Sequence, residues 1–195
     1  MSRRSLLAAS GAVLAVALAA CTAKDPLAQQ ANAGDNKNYI AGDGSVSEFG
    51  VSSRSKPVEF SGTLLDGKAI SADANRGKVT VVNFWYAVCP PCRKEAADLE
   101  ALYAKYKSKG VTFLGVNVRD EKAAAESFNR TFGITYPTLM DKDGGVQLDF
   151  TRYVNVSAAP TTLVLDKQGR VSSRIMGEAD KSTLEALITT ALAEK

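Results

Sequence analysis

The chain has 195 residues, 45% of them hydrophobic and 23% charged, a balance that suits one globular domain with a tail rather than a disordered segment. It contains no histidine, which removes Ser/His/Asp and Cys/His catalysis, imidazole metal sites and histidine-ligated haem together. Three cysteines remain, Cys21, Cys89 and Cys92, and an odd count in an exported protein leaves one thiol to account for.

The start of the chain predicts export. Arg3 and Arg4 precede an apolar run from Leu6 to Ala20, shorter than the ~20 residues of a spanning helix, and this is the layout of a signal peptide over residues 1–20. Leu18-Ala19-Ala20-Cys21 resembles a bacterial lipobox, which makes Cys21 the acylated first residue of the mature chain. The alternatives are an uncleaved anchor, or ordinary secretion with Cys21 free. Ser2-Arg3-Arg4 followed by Leu6-Leu7 also resembles a twin-arginine export signal. The formal charge of the whole chain is +3. Cleavage before Cys21 removes Arg3 and Arg4 from the 24 basic residues and nothing from the 21 acidic ones, which leaves +1. A nearly neutral domain without a basic block is not suited to nucleic acid.

Residues 21–50 read as a tether. Thr22 to Asn38 offers little to bury, and Tyr39, Ile40, Val46 and Phe49 could pin a short extended arm onto the domain that occupies residues 51–195. Val58 to Leu65, a turn at Asp66-Gly67 and Lys68 to Ile70 predict a hairpin. Val79 to Tyr86 is a β-branched apolar run with the length of a buried central strand. It leads into Cys89-Pro90-Pro91-Cys92 and then a helix with Ala96, Leu99, Leu102, Tyr103 and Tyr106 on one side, stopped by Gly110. Val111 to Val118 is a second buried strand, residues 121–132 a helix closed by Gly133, and Thr138 to Met140 an extended piece followed by a turn at Asp141 to Gly145. A short helix near Val146 to Tyr153 comes next. Thr161 to Leu165 and Val171 to Met176 form an antiparallel pair around Asp166-Lys167-Gln168-Gly169, and a last helix runs from about Asp180 to Leu192. The expected fold class is α/β: a mixed sheet with a parallel core, an antiparallel edge and helices on both faces.

Cys89 falls where strand gives way to helix, and there the unpaired N–H groups and the helix dipole stabilise a thiolate. Cys92 lies one turn deeper, close enough to pair with it. Pro90 and Pro91 occupy first-turn positions, where a missing N–H costs little. Such a dithiol exchanges electrons by attack of Cys89 on a partner's sulfur and resolution of the mixed disulfide by Cys92, without a cofactor. Zinc needs about four ligands and the chain has too few. Attachment of c-type haem needs a histidine where Arg93 stands. A structural disulfide is the remaining alternative, although closing so short a loop gains little.

The stretch Val81-Val82-Asn83-Phe84-Trp85, followed by Cys89-Pro90-Pro91-Cys92, Arg93 and Glu95, resembles the thioredoxin superfamily, and more narrowly its membrane-tethered TlpA/ResA/DsbE-like thiol-disulfide oxidoreductases. The resemblance covers most of residues 58–193. Val156 to Thr162 is similar to the family's cis-proline segment, with Pro160 as that proline followed by Thr161, and Gly115 to Pro137 to a strand-plus-helix insertion. It implies the thioredoxin fold with an N-terminal β-hairpin extension. Pro160 is implied to lie beside the dithiol, Glu95 to tune the thiols or move a proton, Asp120 to line the active-site cavity, and Trp85 to pack near the site. Clients would be proteins bearing thiols or disulfides, electrons would come from or go to a membrane partner of the CcdA/DsbD kind, and the place of work would be the outer face of the cell membrane. Reduction, as in cytochrome c maturation, is the commoner role of such proteins and oxidation the runner-up. On the residues alone, Glu95 and Asp120 could equally be solvated helix-start acids. Two departures stand out: Val88 replaces the tryptophan usual before the first cysteine, and Asn83 stands where thioredoxin has a buried aspartate. A thiol peroxidase of the same fold is disfavoured by Tyr86 and by the second cysteine. A lipoprotein that merely keeps the fold is the non-enzymatic alternative.

Overall fold

The computed structural model describes residues 45–155 and 158–194. The predicted signal peptide, Cys21, Tyr39, Ile40 and, in the loop before Pro160, Val156 and Ser157 lie outside the described residues. In chain order the elements are β1 (Val46–Glu48), β2 (Ser61–Leu64), β3 (Ala69–Ser71), β4 (Val79–Trp85), α1 (Pro90–Tyr106), β5 (Val111–Asn117), α2 (Lys122–Phe132), β6 (Thr138–Met140), α3 (Gly145–Asp149), β7 (Thr161–Leu165), β8 (Val171–Met176) and α4 (Lys181–Ala193).

The apolar run of β4 is buried at every residue and has a strand on each side, β5 parallel and β7 antiparallel. The whole sheet has eight strands in the order β1-β8-β7-β4-β5-β6-β2-β3. Only the β4–β5 and β5–β6 pairings are parallel, so the parallel core has antiparallel flanks on both sides rather than one antiparallel edge. The hairpin joins the β6 flank, while the extended arm becomes β1 and pairs with β8, Val46 opposite Ile175. The hairpin starts later than its apolar pattern suggests. Val58 and Phe60 are core residues, and the Val58 N–H donates to the Gly169 carbonyl at 2.9 Å, so pairing with β3 begins only at Ser61. The short helix is also abbreviated: α3 ends at Asp149, and Phe150 and Tyr153 follow in turns, packed into the core.

Side-chain alternation along β4 sorts the two faces. Val82 and Phe84 meet Leu114, Val116, Leu163 and, from the α3 region, Val146 and Phe150. Val79 and Val81 meet Leu99 and Leu102 of α1 and Leu184, Leu187 and Ile188 of α4. Helices therefore cover both faces, as the sequence predicts.

A buried ion-pair cluster closes the end of the sheet away from the cysteines. Arg54, just past β1, donates to Asp166 at 2.9 Å and to both carboxylate oxygens of Glu194 at 2.5 and 2.6 Å. Its Nε also donates to the Phe49 carbonyl at 2.9 Å. The arm, the β7–β8 turn and the end of α4 are thus tied at one guanidinium. The Arg54 and Asp166 side chains are only 4% and 1% exposed, so this pair belongs to the class whose disruption strands a charge. Asp166 keeps Arg170 at 2.8 Å, which softens the loss. Arg54→Ala is expected to cost about 3 kcal/mol, the lower end for breaking a buried pair, measured by urea unfolding. A cost below about 1 kcal/mol would class the cluster with exposed pairs.

Candidate active site

The strand alternation that sorts the core also lays out the site. Odd-numbered residues of β4 face α1, which puts Asn83 and Trp85 on that side, and the registers set Asn83 opposite Gly115 and Thr162, and Trp85 opposite Asn117. After Trp85 the chain crosses Tyr86-Ala87-Val88 and enters α1 through Cys89, which serves as its N-cap with φ −70° and ψ 114°. The Cys92 N–H donates to Cys89 Sγ at 3.2 Å, the bond an N-cap side chain forms with the third residue of a helix. Pro90 and Pro91 fill the first two helical positions and leave no N–H groups there to satisfy.

Cys89 and Cys92 form a disulfide. Both are almost fully buried, at 1% and 2% exposure, in a cluster with Trp85, Ala96, Ala125 and Phe128. Trp85 packs on Phe128 with ring centroids 4.2 Å apart. Gly115 makes this possible, because a Cβ there would stand 2.9 Å from Trp85 Nε1. Across from the dithiol, the Ala159–Pro160 bond is cis, and the Ala159 carbonyl oxygen lies 3.9 Å from Cys89 Sγ. The Thr161 hydroxyl donates back to the Ala158 carbonyl at 2.8 Å, which secures this loop to β7.

Glu95 is buried beneath the cysteines, one turn past Cys92. One carboxylate oxygen accepts from Asn83 Nδ2 at 2.8 Å and the other from the Ala179 N–H at 2.7 Å. Asn83 is oriented by a second donation, to Thr162 Oγ1 at 3.0 Å. Burial raises the pKa of Glu95 to about 7 against the pull of those two hydrogen bonds, with the charge of Glu178 adding to the rise. Burial likewise pushes the Tyr136 phenol up, helped by the negative charges of Glu95 and Glu100. Asp120 is half-buried rather than projecting into solvent. It accepts from the Ala87 N–H at 2.6 Å and from Asn117 Nδ2 at 2.7 Å, so it ties down the segment leading into Cys89. Val88 is the most exposed apolar residue there, at 76%. Among the described residues, no group of three or more histidine, cysteine, aspartate or glutamate side chains could hold a metal ion.

Residues 51–188 match the Redoxin family. The chain belongs to that family. It is 36% identical to the thiol-disulfide oxidoreductase ResA of Geobacillus kaustophilus, over 65% of this chain and 71% of that protein. Among solved structures, a thioredoxin-family thiol:disulfide interchange protein from Chlorobium tepidum has 32% identity and a TM-score of 0.66, covering 72% of this chain and 97% of its own. A DsbF homologue from Corynebacterium diphtheriae has 31% identity and a TM-score of 0.68, covering 78% and 96%. The protein is thus a thioredoxin-superfamily thiol-disulfide oxidoreductase of the ResA/DsbE-like kind.

Within this oxidoreductase the structure gathers Cys89, Cys92, Pro90, Pro91, Trp85, Glu95, Asp120, Pro160 and Thr161 around one end of β4. Cys21 lies outside the described residues. Four participants escape a reading by motif: Thr162, Gly115, Asn117 and the Ala179 N–H. None of them is a chemically loud residue type, and all but Asn117, which reaches Asp120 three residues on, act by touching a residue far away in sequence. The burial of Glu95 did have a signal. It falls on the stripe Cys92, Glu95, Ala96, Leu99, Leu102, Tyr106, the buried face of α1, so helical spacing alone places it under the sheet.

A carboxyl whose pKa is raised on folding binds a proton that the unfolded chain has released. Its stabilising contribution is complete below about pH 4.5 and fades as pH rises to about 7. Across that window Glu95 is expected to account for a loss on the order of 3 kcal/mol. Urea unfolding of the oxidised protein at several pH values should show this slope in the native sequence and a flatter one in Glu95→Gln. Parallel profiles for the two would contradict it.

Proposed function

We propose that this oxidoreductase works outside the cytoplasm, held to the outer face of the cell membrane by acylated Cys21, and reduces disulfides in client proteins through Cys89 and Cys92. The observation that carries the reading is the Cys89–Cys92 disulfide at the cap of α1 with the Ala159 carbonyl 3.9 Å from Cys89 Sγ. A structural bridge closing so short a loop adds little stability, whereas a pair at a helix N-terminus beside open main chain is placed for exchange.

In the reductive direction the Cys89 thiolate attacks one sulfur of a client disulfide. The client S–S bond breaks, its second sulfur leaves as a thiolate and takes up a proton, and a mixed disulfide joins Cys89 to the client. Cys92 then loses its proton and attacks Cys89 Sγ, which releases the first client sulfur and closes the Cys89–Cys92 disulfide. Two electrons pass from the dithiol to the client. The helix dipole and the Cys92 N–H, which points at Cys89 Sγ, favour the Cys89 thiolate. The nearby ionisable group suited to the Cys92 proton is Glu95, whose pKa of about 7 lets it accept and return a proton near neutrality. Asp120 holds the approach to Cys89, and Pro160 and Thr161 shape the loop against which a client would lie. The reduced state is restored by a membrane electron donor of the CcdA/DsbD kind, and clients in cytochrome c maturation fit this scheme. The resemblance to ResA-like proteins supports reduction over oxidation, and the Leu18 to Cys21 motif supports the anchor.

Trapping tests the reading. With Cys92→Ala the mixed disulfide cannot resolve, and non-reducing electrophoresis is expected to show defined protein adducts that vanish in Cys89→Ala/Cys92→Ala. No adducts, where a thioredoxin-fold control captures its own clients, would remove the assignment. A reduction potential near the reducing end of the range, roughly −270 to −120 mV, is expected. A value near the other end would reverse the direction.

A further inference from the structure

Two arginines flank the segment that leads into Cys89. The Arg119 guanidinium lies over the Tyr86 ring, 4.2 Å from its centroid. Arg93 lies over the Phe132 ring at 5.0 Å and donates to the Ala87 carbonyl at 3.2 Å. Phe132 is itself the outer end of a stack, 4.6 Å from Phe128, which packs on Trp85. The ring ladder starts beneath the dithiol and ends at a surface cation. Aromatic faces and a carbonyl hold both guanidiniums without neutralising them, and neither forms a salt bridge with a carboxylate of the described residues. Of the neighbouring charges, Lys94 is paired with Glu178 at 2.8 Å and Glu121 with Lys142, while the Asp120 carboxylate keeps its charge and is turned to the N–H groups of Ala87 and Asn117, which leaves two cations against one anion. Both arginines are exposed, and they attach at Tyr86 and Ala87, the two residues before the exposed Val88. With the mature chain almost neutral overall, this is a local positive site at the mouth of the dithiol rather than part of a general basic surface.

We propose that Arg93 and Arg119 form a cationic bracket that selects client segments whose cysteine is flanked by acidic residues. The inference rests on the oxidoreductase reading above and adds the chemistry of the client. A carboxylate on either side of the client cysteine meets a guanidinium while the sulfur faces Cys89. Because both cations are already positioned on rings, little side-chain freedom is lost on contact.

Homodisulfides of one short peptide, its single cysteine flanked by glutamates, glutamines or lysines, separate this proposal from the reading beneath it. The reduced protein transfers two electrons to each dimer and releases two peptide thiols. Every rate is divided by that of dithiothreitol with the same dimer, which removes intrinsic differences in reactivity. The glutamate peptide is expected to exceed the lysine peptide by about tenfold at about 0.05 M salt and by only about twofold at about 0.5 M. In Arg93→Gln/Arg119→Gln the low-salt ratio should fall to about twofold or less, while Arg93→Lys/Arg119→Lys, which keeps the charges, should retain most of it. Far-UV circular dichroism checks that both variants fold. Equal normalised rates in the native protein, or a ratio that survives in the glutamine variant, would overturn the bracket alone. No reduction of any of the three peptides would overturn the reductive reading above, and the bracket with it.

Discussion

The site depends on the alternation of β4 and on its burial at every position. A strand with a neighbour on each side and a helix layer on each face has no freedom to slip, because a shift of one residue would exchange its two faces. That constraint puts Asn83 and Trp85 toward α1, aligns them with Gly115, Asn117 and Thr162, and delivers the chain end at Trp85 to the point where α1 must begin. Cys89 becomes a cap because it follows this strand. The sulfur chemistry is therefore set at the junction of two rigid elements.

Below the disulfide, the polar network shows how the fold tolerates a buried acid. Glu95 is 2% exposed, yet each carboxylate oxygen has a donor, one from a side chain of β4 and one from backbone just before α4. An ionised carboxylate with no partner at that depth would be far more costly. The two donors do not cancel the desolvation penalty, so the proton is held to near neutrality. Asn83 replaces the carboxylate that thioredoxin has at this point and acts as a donor that orients Glu95. The acid has in effect moved from the central strand to the helix, with Thr162 fixing the amide between them.

The opposite end of the sheet is arranged for permanence. Arg54, Asp166 and Glu194 join the arm to the last helix, and the turn carrying Asp166 needs glycine at position 169, where φ is +80° and a Cβ would collide with Arg76. Edge strands β1 and β3 have three residues each, short enough to offer little template for unwanted pairing. The ion-paired end and the reactive end are thus separated along the strands.

By itself, the sequence determined the dithiol, its place between strand and helix, the order of most elements and the absence of histidine-based chemistry. These are local properties: a period of two, a period of 3.6, a pair of cysteines one turn apart, glycines that end helices at positions 110 and 133. Val58 and Phe60 show the limit of such reading, since their strand-like pattern serves the core, with the Val58 N–H bound to the Gly169 carbonyl and the Phe60 carbonyl to the Ala72 N–H. Only the tertiary structure decided that the sheet has antiparallel strands on both flanks, that Glu95 is hydrogen-bonded to Asn83 and the Ala179 N–H, that Asp120 holds the Ala87 N–H, and that Arg93 and Arg119 both attach to the segment before Cys89. Each of these is a contact between segments far apart in the chain. Propensity and spacing describe a residue's neighbours along the backbone, whereas strand register and helix packing choose its neighbours in space.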